Sequence, residues 1–241
     1  MKVSIERNEL LKAMSRAQSV VERRTTIPIL ANVLIEGVED IVHLRTTDLD
    51  IEVVDKVAAV VSRPGAITVA AHTLYEIVRK LPDGSLVQLI DDAETGRVEI
   101  LADRSKFHLS TLPKGDFPIM ASTEYTSEFS IKASILKRLF EKSKFAMSTE
   151  ETRYYLNGVY FHSIEINNVS LLRAVATDGH RLAQIDVKLP DGLKSLPGVI
   201  VPRKTVSELK IILENEQSEI NVAISDTKIR FSNKFITLTS K

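Results

Sequence analysis

Residues 40–61 read DIVHLRTTDLDIEVVDKVAAVV. From Asp40 to Thr46, and again from Leu49 to Val61, apolar side chains fall on every second position or nearly so, the period of a strand with one buried face. Between the two runs stands Thr47-Asp48, a pair suited to hydrogen-bonding a turn. Working outward, the same alternation returns at Arg97 to Leu101, Glu219 to Ile224 and Lys228 to Phe231. Helical spacing is scarcer. It appears at Leu10, Leu11, Met14, Ala17 and Val21, at Leu74, Ile77, Val78 and Leu81, at Leu136, Leu139 and Phe140, and at Val206, Leu209 and Leu213. Several strands to each helix predict an α+β fold with largely antiparallel sheet rather than a doubly wound parallel one.

The two halves repeat. Val33 in LANVLI matches Val159 in LNGVYF, Thr47-Asp48 matches Thr177-Asp178, Thr73 and Glu76 match Thr205 and Glu208, and Lys106-Phe107 matches Lys234-Phe235, at offsets of 126, 130, 132 and 128. Four anchors in one order predict a duplicated unit of helix, strands, helix, strands, with two helices packed on antiparallel sheets in each copy. Pro113, Gly115, Asp116, Pro118 and the polar stretch Ala121 to Ser127 are turn formers. The expected organisation is a first domain over residues 1–120, a linker over 121–127 and a second domain over 128–241.

Of the 241 residues, 44% are hydrophobic and 27% charged, the balance of a globular chain. Lys plus Arg (32) equals Asp plus Glu (32), so bulk charge points to neither nucleic acid nor membrane. There is no Cys, which removes disulfides, thiolate nucleophiles and Cys-based metal sites. The charged start, with Lys2, Glu6, Arg7 and Glu9, excludes a signal-peptide core there, and the uncharged stretch from Thr25 to Ile35 is too short to span a bilayer. A soluble, cytoplasmic chain without a membrane partner is the expectation.

Charge is unevenly spread. The predicted helices Glu9–Arg24, Thr73–Lys80, Ser134–Lys144 and Arg203–Lys210 together carry 13 basic and 5 acidic residues, so the rest of the chain carries the compensating negative charge. Lys12, Arg16 and Arg23 fall near one line opposite an apolar face. Phosphate contact needs only such charge and reach. The plainer alternative is that surface helices are commonly rich in Lys and Arg.

Asp178 and His180 with nearby hydroxyls suggest a hydrolase dyad, but Thr47-Asp48 recurs in the first unit without a His, which favours a structural turn residue. No G-x-S-x-G, G-x-x-x-x-G-K or H-E-x-x-H motif occurs, and the five His are far apart. No catalytic residue, metal or cofactor is expected.

RYYLNG (Arg153 to Gly158), ATDGHRLA (Ala176 to Ala183), VIVPRK (Val199 to Lys204), IPILANVL (Ile27 to Leu34) and FHLSTLPKGDFP (Phe107 to Pro118) closely resemble the bacterial DNA polymerase III β sliding-clamp family, in order through essentially the whole chain. The resemblance implies a non-enzymatic processivity factor: three similar domains per subunit, and two subunits forming a homodimeric ring whose helices line a hole around double-stranded DNA. This chain is expected to cover the first two domains and to lack the third, and so to be unable to close that ring alone. Implied partners are duplex DNA, the DNA polymerase III core, the clamp loader, and other replication and repair proteins that dock short peptide motifs.

The resemblance also implies site residues. Arg153, Tyr155, Leu156, Thr177, Gly179, His180, Arg181 and Leu182 correspond to one side of the family's peptide pocket. Spacing alone favours Leu156 and Leu182 as strand core and Tyr155 as half-buried, and it is the resemblance that turns the reading toward a pocket. Arg24, Arg79, Arg203 and Lys204 correspond to DNA contacts, while Glu150 and Glu151 make the Ser148 to Thr152 loop acidic and Ala71-His72-Thr73 lacks the basic residues expected there. Arg104, Lys106, Phe107 and Leu109 correspond to the first-domain edge used in ring closure, or form a plain edge strand blunted by charge. A two-domain peptide-binding adaptor without a DNA role is the alternative to the clamp.

Overall fold

The computed structural model describes the chain apart from residues 22–24, 93–94, 151, 191 and 194. It divides into two compact units, Met1–Ala121 and Ser122–Lys241.

The first unit opens with β1 (Lys2–Glu6) and α1 (Arg7–Val20), and continues through β2 (Asn32–Val38), β3 (Ile41–Thr47), β4 (Ile51–Ala58), β5 (Val60–Arg63) and β6 (Gly65–Ala70). After α2 (Ala71–Lys80) come β7 (Leu86–Asp92), β8 (Arg97–Ala102) and β9 (Ser105–Ser110). One sheet has the order β5-β1-β7-β8-β9, and β4-β3-β2-β6 run side by side in another, with antiparallel pairing throughout. α1 and α2 bury Leu10, Met14, Ala17, Leu74 and Val78 against Val3, Ile35, Leu44, Leu89 and Ile100 of these sheets.

The second unit repeats this plan with β10 (Ser127–Lys132), α3 (Ala133–Ser143), β11 (Gly158–Ile166), β12 (Val169–Thr177), β13 (Leu182–Lys188), β14 (Val199–Pro202), α4 (Arg203–Glu208), β15 (Glu219–Ile224), β16 (Ile229–Ser232) and β17 (Ile236–Ser240). Its strands run β10-β15-β16-β17 and β13-β12-β11-β14, the counterparts of β1-β7-β8-β9 and β4-β3-β2-β6. The core centres on Phe140 of α3, whose ring lies 5.6 Å from Phe161 and 6.1 Å from Phe231.

Two local differences from the sequence expectation have physical reasons. The single run Leu49 to Val61 is two strands. Ala59 interrupts it, its N–H donating to Asp40 O (3.0 Å), and β5 then leaves β3 to pair with β1. The helix expected over Arg203–Lys210 ends at Glu208 and tightens into a 3₁₀ turn, Leu209–Ile211, which satisfies its last carbonyls locally.

Helix ends are also tied across the fold. Arg7, buried at the start of α1, donates to the carbonyls of Val78 (2.9 Å) and Arg79 (2.7 Å) at the end of α2 and pairs with Asp83. A guanidinium there satisfies carbonyls that the helix cannot bond itself and opposes the negative end of its dipole. No described helix is long and apolar enough to cross a membrane.

Candidate functional site

The β3–β4 and β12–β13 connections are the same turn built twice. In the first, Thr47 Oγ1 donates to Ile51 O (2.7 Å) and accepts from Leu49 N (3.0 Å), while Asp48 Oδ1 accepts from the N–H groups of Asp50 (3.0 Å) and Ile51 (2.7 Å). In the second, Thr177 Oγ1 donates to Arg181 O (2.7 Å) and accepts from Gly179 N (3.1 Å), while Asp178 Oδ1 accepts from His180 N and Arg181 N, both at 3.0 Å. The third position is left-handed in both, with Leu49 at φ 82° and Gly179 at φ 91°.

These bonds define the role of the repeated aspartate. The N–H groups of His180 and Arg181, joined by the Arg181 guanidinium (Nε to Oδ2, 2.9 Å), hold the Asp178 carboxyl down to about 2. The carboxylate anchors the turn: its bonds go to the backbone N–H groups of His180 and Arg181 and to the Arg181 guanidinium, and not to the His180 ring that a hydrolase dyad would have it orient. Thr177 belongs to the same anchor. Among the described residues no group of three His, Asp or Glu stands close enough to hold a metal ion.

Around the second turn the structure gathers an exposed apolar surface. Leu182, first residue of β13, is 63% exposed, and Tyr155 is 56% exposed in the 3₁₀ turn Tyr154–Leu156. Neither is the core or half-buried residue that spacing alone also allowed, and Leu156 is half-buried in that turn rather than within a strand. Arg153 joins the two segments: it pairs with Glu150 (3.0 Å), and its Nη1 lies 3.7 Å from where a Cβ on Gly179 would stand. His180 is exposed. Arg181 lies over the ring of Phe145, its Cζ 5.7 Å from the centroid.

Phe145, 58% exposed, and Tyr154, which meets Tyr155 edge-on at 5.6 Å, add to this exposed surface and were not singled out from the sequence. The available signal was Phe145's position: it falls off the line Leu136, Leu139, Phe140 that α3 buries.

The basic positions divide sharply. Arg24 and Arg23 lie outside the described residues. Arg79 is exposed and paired with Glu76 (2.7 Å), with its Cζ 5.8 Å from the Tyr75 ring centroid. Lys204 is half-buried in the first turn of α4. Arg203 turns inward, donating to Met147 O, Ser148 O and Asn157 Oδ1. The expected stripe on α1 is reduced as well, because Arg16 forms a largely buried two-point pair with Asp55 (2.5 and 3.1 Å) and Lys12 pairs with Glu9 (2.8 Å). By contrast Lys80, Arg138, Lys142 and Lys210 are exposed with no ion pair among the described residues.

Arg104, Lys106, Phe107 and Leu109 lie on or beside β9, the last strand of its sheet. Lys106 forms an ion pair with Glu99 across to β8, and Leu109 packs against the core. Phe107 faces outward and, with Ile77, Lys80 and Leu81, borders a depression of about 250 Å³ beside α2.

A twice-built α+β unit of this topology is the fold of sliding clamps. The chain belongs to the DNA polymerase III beta subunit family: the family's N-terminal domain matches residues 1–121 and its central domain residues 130–241. The Beta sliding clamp of Caulobacter vibrioides (strain NA1000 / CB15N) is 49% identical over 241 residues, covering all of this chain and 65% of that protein. The Beta sliding clamp of Escherichia coli (strain K12) is 38% identical over 242 residues, with 64% of its length covered. Among solved structures, Caulobacter crescentus pol III beta superposes with a TM-score of 0.96 at 49% identity. The DnaN sliding clamp of Bartonella birtlesii bound to griselimycin gives 0.95 at 47%, and in both cases all of this chain is covered, against 65% and 64% of theirs. The chain thus spans about two thirds of the relatives it matches.

Proposed function

We propose that these two units are the first two domains of a bacterial replicative sliding clamp, a non-enzymatic processivity factor joined through residues 121–127 and acting in the cytoplasm. In the full-length homodimer a ring encircles double-stranded DNA, so topology holds the duplex while weak phosphate contacts let the protein slide. The exposed surface at Leu156, Gly179 and Leu182 docks short peptide motifs from the DNA polymerase III core, the clamp loader, and other replication and repair proteins. The β9 edge at Arg104, Lys106, Phe107 and Leu109 serves subunit pairing.

One observation carries the peptide reading: large apolar side chains stand exposed around a glycine on a turn whose backbone donors are already used internally. Recognition there falls to side chains, with Leu182, Tyr155 and Phe145 offering apolar contact and His180 and Arg153 polar contact. For DNA, Lys80, Arg138, Lys142 and Lys210 join Arg24, Arg79 and Lys204 as the phosphate-reaching cations. The test is an NMR titration of the 241-residue chain with a polymerase-derived peptide. Shifts confined to Phe145, Tyr154–Leu156 and Gly179–Leu182 are expected, and shifts centred elsewhere in the second unit refute the assignment.

A further inference from the structure

Arg203, which the family resemblance groups with DNA contacts, has a neighbourhood that suits another task. Met147 and Ser148 are buried, so their carbonyls need protein donors. The Arg203 guanidinium supplies them: Nη2 donates to Met147 O (2.8 Å) and Ser148 O (2.7 Å), and Nε to Ser148 O (3.2 Å) and Asn157 Oδ1 (2.9 Å). The same junction is tied by backbone bonds, Ser148 N–H to Leu156 O (3.0 Å) and Arg203 N–H to Asn157 O (3.0 Å). One side chain thereby joins both ends of the 147–157 segment, which bears Arg153, Tyr154, Tyr155 and Leu156.

We propose that Arg203 is a positioning residue for peptide binding: its planar guanidinium closes the 147–157 segment and so sets Tyr155 and Leu156 where a docked peptide meets them. The proposal rests on the peptide-binding reading above. The chemistry favours arginine because donors fixed in one plane reach three acceptors together, whereas a lysine ammonium offers a single point of charge. Bonds made inward also take Arg203 out of the set that reaches phosphates uniformly.

The test compares Arg203→Gln and Arg203→Lys with the unaltered 241-residue chain by amide hydrogen exchange, affinity for a polymerase-derived peptide, and the salt dependence of duplex binding. In Arg203→Gln, exchange at Ser148 and Leu156 should quicken and peptide affinity fall, each by about tenfold, the loss of roughly one charged hydrogen bond. Exchange at Phe161 and Leu172 should not change, and the salt slope for duplex should hold. Arg203→Lys should recover part of both losses, and it supplies the comparison if the Gln variant does not fold. Unchanged exchange at Ser148 and Leu156 in the Gln variant overturns the proposal, as does a flattened salt slope with unchanged exchange, which would make Arg203 a phosphate contact. If the unaltered chain binds no peptide, the peptide-binding reading fails and this proposal with it; quickened exchange would then leave Arg203 as a purely structural tie.

Discussion

Replacing Gly179 by leucine separates the turn's structural role from its proposed use. Gly179 sits at φ 91°, where a side chain strains the backbone, and the left-handed conformation costs an L-residue about 1–2 kcal/mol. Space is not limiting: a Cβ there would meet only Arg153 Nη1, at the ordinary distance of 3.7 Å. The molecule contains its own control, since Leu49 holds the matching place in the first unit at φ 82° with the same Thr and Asp bonds around it. Gly179→Leu should therefore fold, with a melting temperature lower by roughly 4–8 °C, since each 1 kcal/mol shifts a unit of about 120 residues by about 4 °C. The new side chain would stand beside Arg153 and fill the space a guest residue needs, so peptide affinity should fall by more than about tenfold, a loss of about 1.4 kcal/mol. Thermal melts and an NMR titration measure both effects. Undiminished peptide binding would place the docking surface elsewhere, and outright unfolding would refute the equivalence of the two turns.

Other expectations follow from the same geometry. The Asp178 carboxyl titrates below its unfolded value of about 3.9, so its stabilising effect is complete above that pH and is lost as pH falls through about 2. Asp178→Asn should thus be destabilised at pH 7 and converge with the unaltered chain below pH 2, as followed by urea unfolding. Phe161→Ala removes a fully buried ring from beside Phe140 and should cost about 3–5 kcal/mol in denaturant unfolding. Arg79→Glu and Lys142→Glu should weaken binding to unrelated duplexes alike and lower the slope of log affinity against log salt by about 0.9 for each phosphate no longer neutralised. Arg97→Glu, on β8, should do little, and equal effects from strand and helix reversals would end the helix-facing reading.

How far the sequence could be read depended on the kind of interaction. The duplication was legible because the turn needs both Thr and Asp at fixed spacing, so the anchors survive as letters at Thr47-Asp48 and Thr177-Asp178. Strand β5 was not, because alternation reports which face is buried and not which neighbour a strand joins. Charge was legible as a count and illegible as a surface. Arg16 meets Asp55 only once α1 lies on β4, and Arg203 meets Met147 and Ser148 only once the chain has folded back, so neither pairing leaves a local pattern. The exposure of Tyr155 and Leu182 was hidden for the same reason, since apolar residues at strand and turn positions normally signal core.

The placement of β1 and β10 has a consequence for synthesis. Lys2 aligns with Arg63 of β5 on one side and Ile90 of β7 on the other, so one edge of β1 waits for the later strand, while Ser127 aligns with Ile224, so β10 waits for a partner made near the end of its unit. Such distant pairings delay closure, since chain entropy is lost before any ladder forms in return. Within the first unit, β1 is an interior strand between β5 and β7, which makes the opening residues a keystone. As the chain leaves the ribosome, the β2–β3–β4 meander can assemble early. The sheet built on β1 stays open until β7 emerges, and a nascent chain arrested before that point would expose apolar strand faces to chaperones or to its neighbours.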